Sequence, residues 1–198
     1  MRKDTDPDYA AAVRCRNGDV DAFEQIVIRH QKKMFNIAYR MTGDYNDAAE
    51  VVQDAFVSAY KNIKSFRGGA RFSTWLYTIV INLSRNRLKQ NKARDIKEPI
   101  SIDDPVRTSD GEIRQDPPSN DVPVPDRLQS HQVQQRVRGC IKSLEDDFRE
   151  VVVLRDIQGF SYGEICDMLK LAEGTVKSRL HRAREYLRDC LKKHLGEL

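Results

Sequence analysis

From Lys170 to Lys193, eight Lys and Arg residues stand against three acids, and a stretch of that balance is suited to grip a polyanion. Its outward residues at helical spacing are Lys177, Ser178, His181, Arg182, Arg184 and Arg188. One helix fits a DNA major groove, where side chains near its N-terminal end read the base edges. A second basic run lies between Ile81 and Arg94, with Arg85, Arg87, Lys89, Lys92 and Arg94 and no acid. Phe66, Phe72, Trp75 and Tyr77 stand just upstream, in and after a Gly-rich loop. Aromatic rings beside cations suit unpaired nucleotides, because every base has a stacking face and every nucleotide a phosphate. Trp75 and Tyr77 suit a hydrophobic core equally well. A third group has the opposite sign: Asp47, Glu50, Gln53 and Asp54, with no Lys or Arg before Lys61. Such a face repels phosphate and is expected to meet a protein, unless it is merely a solvated helix surface.

These groups need helices to hold them, and helical periodicity is what the chain shows. Phe23, Ile26, Val27, Met34, Ile37, Ala38 and Met41 follow spacings of three, four and seven, and Gly43-Asp44 ends that run. Ala48, Val51, Val52, Ala55, Phe56, Ala59 and Ile63 trace a second apolar stripe. After Arg67-Gly68-Gly69-Ala70, Ser73 is placed to cap a third helix reaching about Gln90. Further on, Val133 to Leu144 and Phe148 to Ile157 read as two helices. Ser161 and Glu164 have capping-box spacing, Leu171-Ala172-Glu173-Gly174 reads as a tight turn, and Val176, Leu180, Ala183, Leu187 and Leu191 form the next inner face. Two short helices, a turn and a longer second helix predict a helix-turn-helix.

Six of the seven prolines fall between Pro99 and Pro125, among acids and few large apolar residues. That composition buries too little surface to offset its ordering entropy. The expected architecture is therefore all-α: a helical domain over 9–94, a flexible Pro- and acid-rich linker over 95–128, and a second helical domain over 129–196 containing the helix-turn-helix. Charge follows the same division, with nets of +7 over 1–94, −5 over 95–128 and +2 over 129–198.

Cys15, Cys140, Cys166 and Cys190 show no paired-ligand spacing and read as reduced, small apolar residues. His30, His131, His181 and His194 are scattered, so no metal, cofactor or catalytic constellation is expected. No apolar run is long enough to span a bilayer, and the polar, acidic start is unlike a signal peptide. A cytoplasmic protein without membrane insertion is the expectation.

Three stretches in this order resemble the extracytoplasmic-function sigma factors, the small promoter-specificity subunits of bacterial RNA polymerase. They are DAAEVVQDAFVSAYKNIKSF, FSTWLYTIVINLSRNRLKQNKAR and FREVVVLRDIQGFSYGEICDMLKLAEGTVKSRLHRARE. The resemblance implies that Asp47, Glu50, Gln53 and Asp54 dock on core RNA polymerase. It implies that Phe66, Arg67, Arg71, Phe72, Asn82, Arg85, Asn86 and Lys89 serve the −10 element. There the two Asn amides, with the loop, hold a flipped-out base, and Arg85 and Lys89 hold phosphates. Lys177, Ser178, His181 and Arg182 would enter the −35 major groove, with Thr175 and Arg184 on phosphates. The family further implies an anti-sigma factor, usually membrane-anchored, and a linker threaded toward the RNA exit path. A conventional helix-turn-helix regulator is the first rival, although residues 9–94 show no βα alternation of a receiver or ligand-binding module. A nucleic-acid enzyme lacks its constellation, and a pure adaptor would leave both basic faces idle.

Overall fold

The computed structural model describes residues 6–97 and 124–195, and among them every regular element is helical. Helix α1 (Pro7–Arg16) leads into α2 (Val20–Thr42), α3 (Tyr45–Asn62) and α4 (Phe72–Lys97). The second group is α5 (Val124–Lys142), α6 (Asp146–Val152) with a π-helical turn over Val153–Ile157, α7 (Tyr162–Leu169) and α8 (Glu173–Leu195). Helix thus covers both margins of the segment read as a linker, and 98–123 lie outside the described residues.

Local chemistry accounts for most of the helix ends. Asp19 accepts from Ala22 N–H to start α2, Gly43 ends it at φ +75°, and Asp44 accepts from Asp47 N–H to start α3. The capping box of Ser161 and Glu164 forms at the head of α7 as its spacing predicts. Two expectations change. Helix α4 starts at Phe72, one residue ahead of Ser73, and the Phe72 N–H donates at 2.8 Å to Asp6. The Asp6 carboxylate also caps α1 through Asp8 N–H, so one acid serves two helix starts. In the helix-turn-helix the left-handed residue is Lys170 (φ +56°), and Gly174 lies inside the first turn of α8.

Ile26, Met34, Ile37, Phe72, Leu76 and Ile81 are fully buried where α2, α3 and α4 pack. Leu154, Ile165, Met168 and Leu180 do the same where α6, α7 and α8 meet. Apolar side chains removed from water in this way contribute roughly 1.5–3 kcal/mol each.

The cysteines depart from expectation. Cys140 on α5 and Cys190 on α8 are joined in a disulfide across 50 residues, while Cys15 is buried and free and Cys166 is free. Sequence spacing carries no signal for such a long-range pair. Closing a loop of 50 residues is worth about 4 kcal/mol in the chain-entropy account. Replacing both by serine is expected to lower the stability measured in urea by up to that amount, and a reductant should do the same to the wild type. Equal midpoints under oxidising and reducing conditions would show that the bond carries no stability.

Candidate nucleic-acid interface

The loop between α3 and α4 rests on α1. Tyr9 packs edge-on against Phe66, and its ring lies 2.9 Å from where a Cβ on Gly68 would stand. With φ at +73°, Gly68 is required twice over, by conformation and by space. Beneath it Phe66, Phe72 and Trp75 form an aromatic cluster with centroids 5.2–5.5 Å apart. Phe72 is fully buried and Phe66 is 4% exposed. In this conformation both rings are turned into the core, away from solvent, and support the loop from below. Trp75 is half-buried in that cluster and Tyr77 is core.

The solvent side of the loop carries Arg67 and Arg71, both exposed. On α4, Asn82 and Asn86 are exposed four residues apart, with Lys89 exposed one turn further on. Arg85 is turned toward the second module, where its Nη2 donates to Glu150 at 2.7 Å. Asn82, Asn86 and Lys89 thus face solvent, while Arg85 is engaged by Glu150.

The acidic face of α3 is laced to α4. Arg87 contacts both Glu50 and Asp47, and Asn91 donates to Asp47 at 2.7 Å. Glu50, Gln53 and Asp54 are exposed, and Asp47 is half-buried. Arg87 therefore belongs to α3–α4 packing and holds the acidic face at a fixed angle to the basic one.

On α8, Lys177, Ser178, His181 and Arg182 are exposed side by side, and Thr175 is half-buried beside them. Lys177 pairs with Glu173 at 2.7 Å and His181 lies 3.7 Å from Glu185, both one turn apart. Such exposed pairs are worth little and give way readily to a phosphate. Arg184 differs, since Asp156 takes both its Nε (3.0 Å) and Nη2 (2.5 Å). That fork holds the π turn against α8, and a phosphate would have to compete for it.

Composition gave no sign of the polar groups buried among these helices, Asp8, His30, Arg149 and Glu150 among them. His30 bridges Asp8 (2.9 Å to Nε2) and the Tyr77 hydroxyl (2.7 Å to Nδ1), tying α1, α2 and α4 together under the loop. Burial pushes the Asp8 carboxyl up, but hydrogen bonds from His30 and Arg29 outweigh it and hold the group below its ordinary value. Burial, with Asp8 adding to it, holds the Tyr77 phenol well above its ordinary range. Arg149 and Glu150 are buried in α6, inside an otherwise apolar run. Two adjacent charges interrupting FREVVVL were the readable signal.

Among the described residues no group of three or more His, Cys, Asp or Glu could hold a metal, and no helix is long and apolar enough to cross a membrane. The family models for Sigma-70 region 2 and Sigma-70, region 4 match residues 26–94 and 134–187. The RNA polymerase sigma-H factor of Pseudomonas aeruginosa is 34% identical over 96% of both chains. The ECF RNA polymerase sigma factor SigW of Bacillus subtilis is 36% identical over 89% of this chain and 92% of its own. Among solved structures, CnrH in complex with the cytosolic domain of CnrY aligns with a TM-score of 0.66 at 26% identity, covering 93% of this chain and 96% of that one.

The Asp8 network yields a pH-dependent expectation. A carboxyl held below 3.8 when folded adds stability above that pH and loses it as pH falls through the folded value. Asp8→Asn should cost about 1–3 kcal/mol at pH 7, the range for leaving a buried partner unsatisfied. The gap from wild type should narrow below pH 3.8 in urea melts. A pH-independent gap would mean that Asp8 acts by shape alone.

Proposed function

The chain belongs to the sigma-70 family, in its extracytoplasmic-function branch, and we propose from that premise how its surfaces divide the work of promoter-specific initiation. The exposed acids Glu50 and Asp54, with Gln53 and Asp47, dock on core RNA polymerase. Their negative field keeps that surface off DNA, and Arg87 fixes its angle to the basic face. Residues 9–94 act as the melting and −10 module, and 129–196 as the −35 module.

For the −10 strand, Asn82 and Asn86 offer amides that donate to and accept from one flipped base, helped by the loop residues Arg67 and Arg71. Lys89 and Arg85 hold backbone phosphates. For −35 duplex, the exposed row Lys177, Ser178, His181 and Arg182 lies at the N-terminal half of α8, the end that a recognition helix presents to base edges. Thr175 and Arg184 are assigned to phosphates, Arg184 after exchange from Asp156. Core polymerase sets the spacing of the two modules, so duplex and strand elements are read together. No step is catalysed by the chain itself; opening the duplex costs a few kcal/mol per base, offset by capture of the flipped bases.

The observation that carries this reading is the pairing of an exposed basic recognition helix with an exposed Asn/Lys stripe on α4, beside an acidic face of opposite purpose. CnrH in its complex with the cytosolic domain of CnrY supports an anti-sigma partner for this chain as well, soluble or membrane-anchored. A cytoplasmic location, where core polymerase works, is part of the same proposal. The path of the linker falls on residues outside the described ones.

Run-off transcription with bacterial core polymerase on a pool of promoter fragments should give start sites only when the chain is added. A folded chain that stays silent there, yet shifts duplex DNA as a dimer without polymerase, would establish the conventional regulator instead. On a promoter so found, Asn86→Ala should reduce open complexes roughly 5- to 150-fold, the 1–3 kcal/mol of one base contact. It should leave binding to core polymerase intact, whereas Asp54→Ala should weaken core binding first.

A further inference from the structure

The loop between α3 and α4 has little in its own residues to hold it. Gly68, Gly69 and Ala70 carry at most a methyl group, and no residue of 67–70 makes a backbone hydrogen bond to another described residue. A glycine-rich segment of this kind samples many conformations unless its neighbours restrict it. Here the first turn of α1 holds both ends. At the far end, the Phe72 N–H donates to Asp6 Oδ2 at 2.8 Å, while Asp6 Oδ1 accepts from Asp8 N–H at 3.1 Å. At the near end, Tyr9 stands edge-on to Phe66 with ring centroids 6.2 Å apart. The same ring fills the space that a side chain on residue 68 would need.

That turn is itself anchored. The Tyr9 N–H donates to the Asp6 carbonyl at 3.0 Å, which fixes the two side chains relative to each other. Between them in sequence, Asp8 binds Arg29 and, at 2.9 Å, His30 Nε2, both on α2. His30 Nδ1 in turn lies 2.7 Å from the Tyr77 hydroxyl on α4. The position of the loop over the Asn82 and Asn86 stripe of α4 is therefore set through α1. Asp6 and α1 (Pro7–Arg16) lie ahead of the stretch matched to Sigma-70 region 2, residues 26–94.

We infer that Asp6 and Tyr9 are positioning residues of −10 recognition, holding the loop in the one arrangement that accepts the preferred base beside Asn82 and Asn86. This rests on the assignment of that loop to base capture. Both residues act through the loop rather than on the strand. Hydrogen bonds select one base over another only while donors and acceptors keep their distances and angles. A loosened loop still meets a flipped base and its phosphate, but it selects less sharply among bases. Core docking and −35 reading are assigned to α3 and α8, so both should survive such loosening.

The test uses the full chain bound to core polymerase, on a promoter found by run-off transcription. Templates carry every base in turn at each position of the −10 element, and heparin-resistant open complexes are counted on each. Tyr9→Leu and Asp6→Ala should each shrink the ratio of preferred to disfavoured templates about fivefold, the lower end of what one base contact discriminates. Tyr9→Phe, which keeps the ring, should retain the wild-type ratio. In all three, the penalty for a mutated −35 element and the affinity for core polymerase should match wild type. Tyr9→Leu leaves both helix caps in place, so it decides the matter if Asp6→Ala impairs folding. An unchanged ratio in Tyr9→Leu overturns the inference. So does a ratio that falls only together with the −35 penalty or core affinity, the mark of a general loss of fold. Absence of start sites with the wild-type chain is a separate result, which would overturn the proposed function and this inference with it.

Discussion

One guanidinium closes two helices from two different modules. Arg149 Nη2 donates to the carbonyls of Lys142 and Leu144 at 2.8 and 2.7 Å, and Nε donates to Ile141 at 3.3 Å. Its Nη1 reaches across to the Met41 carbonyl at 2.8 Å. Ile141 and Lys142 end α5 and Met41 lies in the last turn of α2, so the cation sits where two helix dipoles point their negative ends. Burial pulls the guanidinium below its usual value, with Asp146 acting against it. Four carbonyls and two dipoles are what make a buried charge tolerable here. The α5–α6 turn and the position of α6 depend on this group, and it adds one buried hydrogen bond to the docking of one module on the other.

At the opposite end, acids do the complementary work. Asp6 caps α1 and α4 together, and Asp8 anchors His30 and Tyr77 beneath the same corner. The exposed loop residues are thereby fixed from behind by side chains from α1, far away in sequence. The loop's conformation therefore depends on a short helix that lies outside both basic runs. Rigid support under an adaptable polar surface is what the proposed base-capturing role of the loop requires.

Much of this was legible in local pattern. The stripes of α2 and α3, the Ser161–Glu164 capping box and the outward row on α8 are all short-range signals, and periodicity reads them well. The misreadings were long-range. Ser73 has the chemistry of a cap, but Asp6 reaches the site first through a fold that spacing cannot encode. Phe66 and Phe72 look alike whether they face a base or a core; only their packing with Trp75 decides. The turn was placed by its glycine, whereas Lys170 takes the left-handed geometry at a cost of roughly 1–2 kcal/mol. Cys140 and Cys190 are brought together only by the packing of α5 against α8.

That last pairing makes a covalent ring of the segment from Cys140 to Cys190, with α6, α7 and most of α8 inside it. A single protease cut anywhere within the ring releases no fragment, because both pieces stay joined through sulfur. The C-terminal unit would then survive nicking as one particle in an oxidising medium and fall into two only after a thiol opens the bond. Reducing and non-reducing gels of the same digest therefore give different fragments.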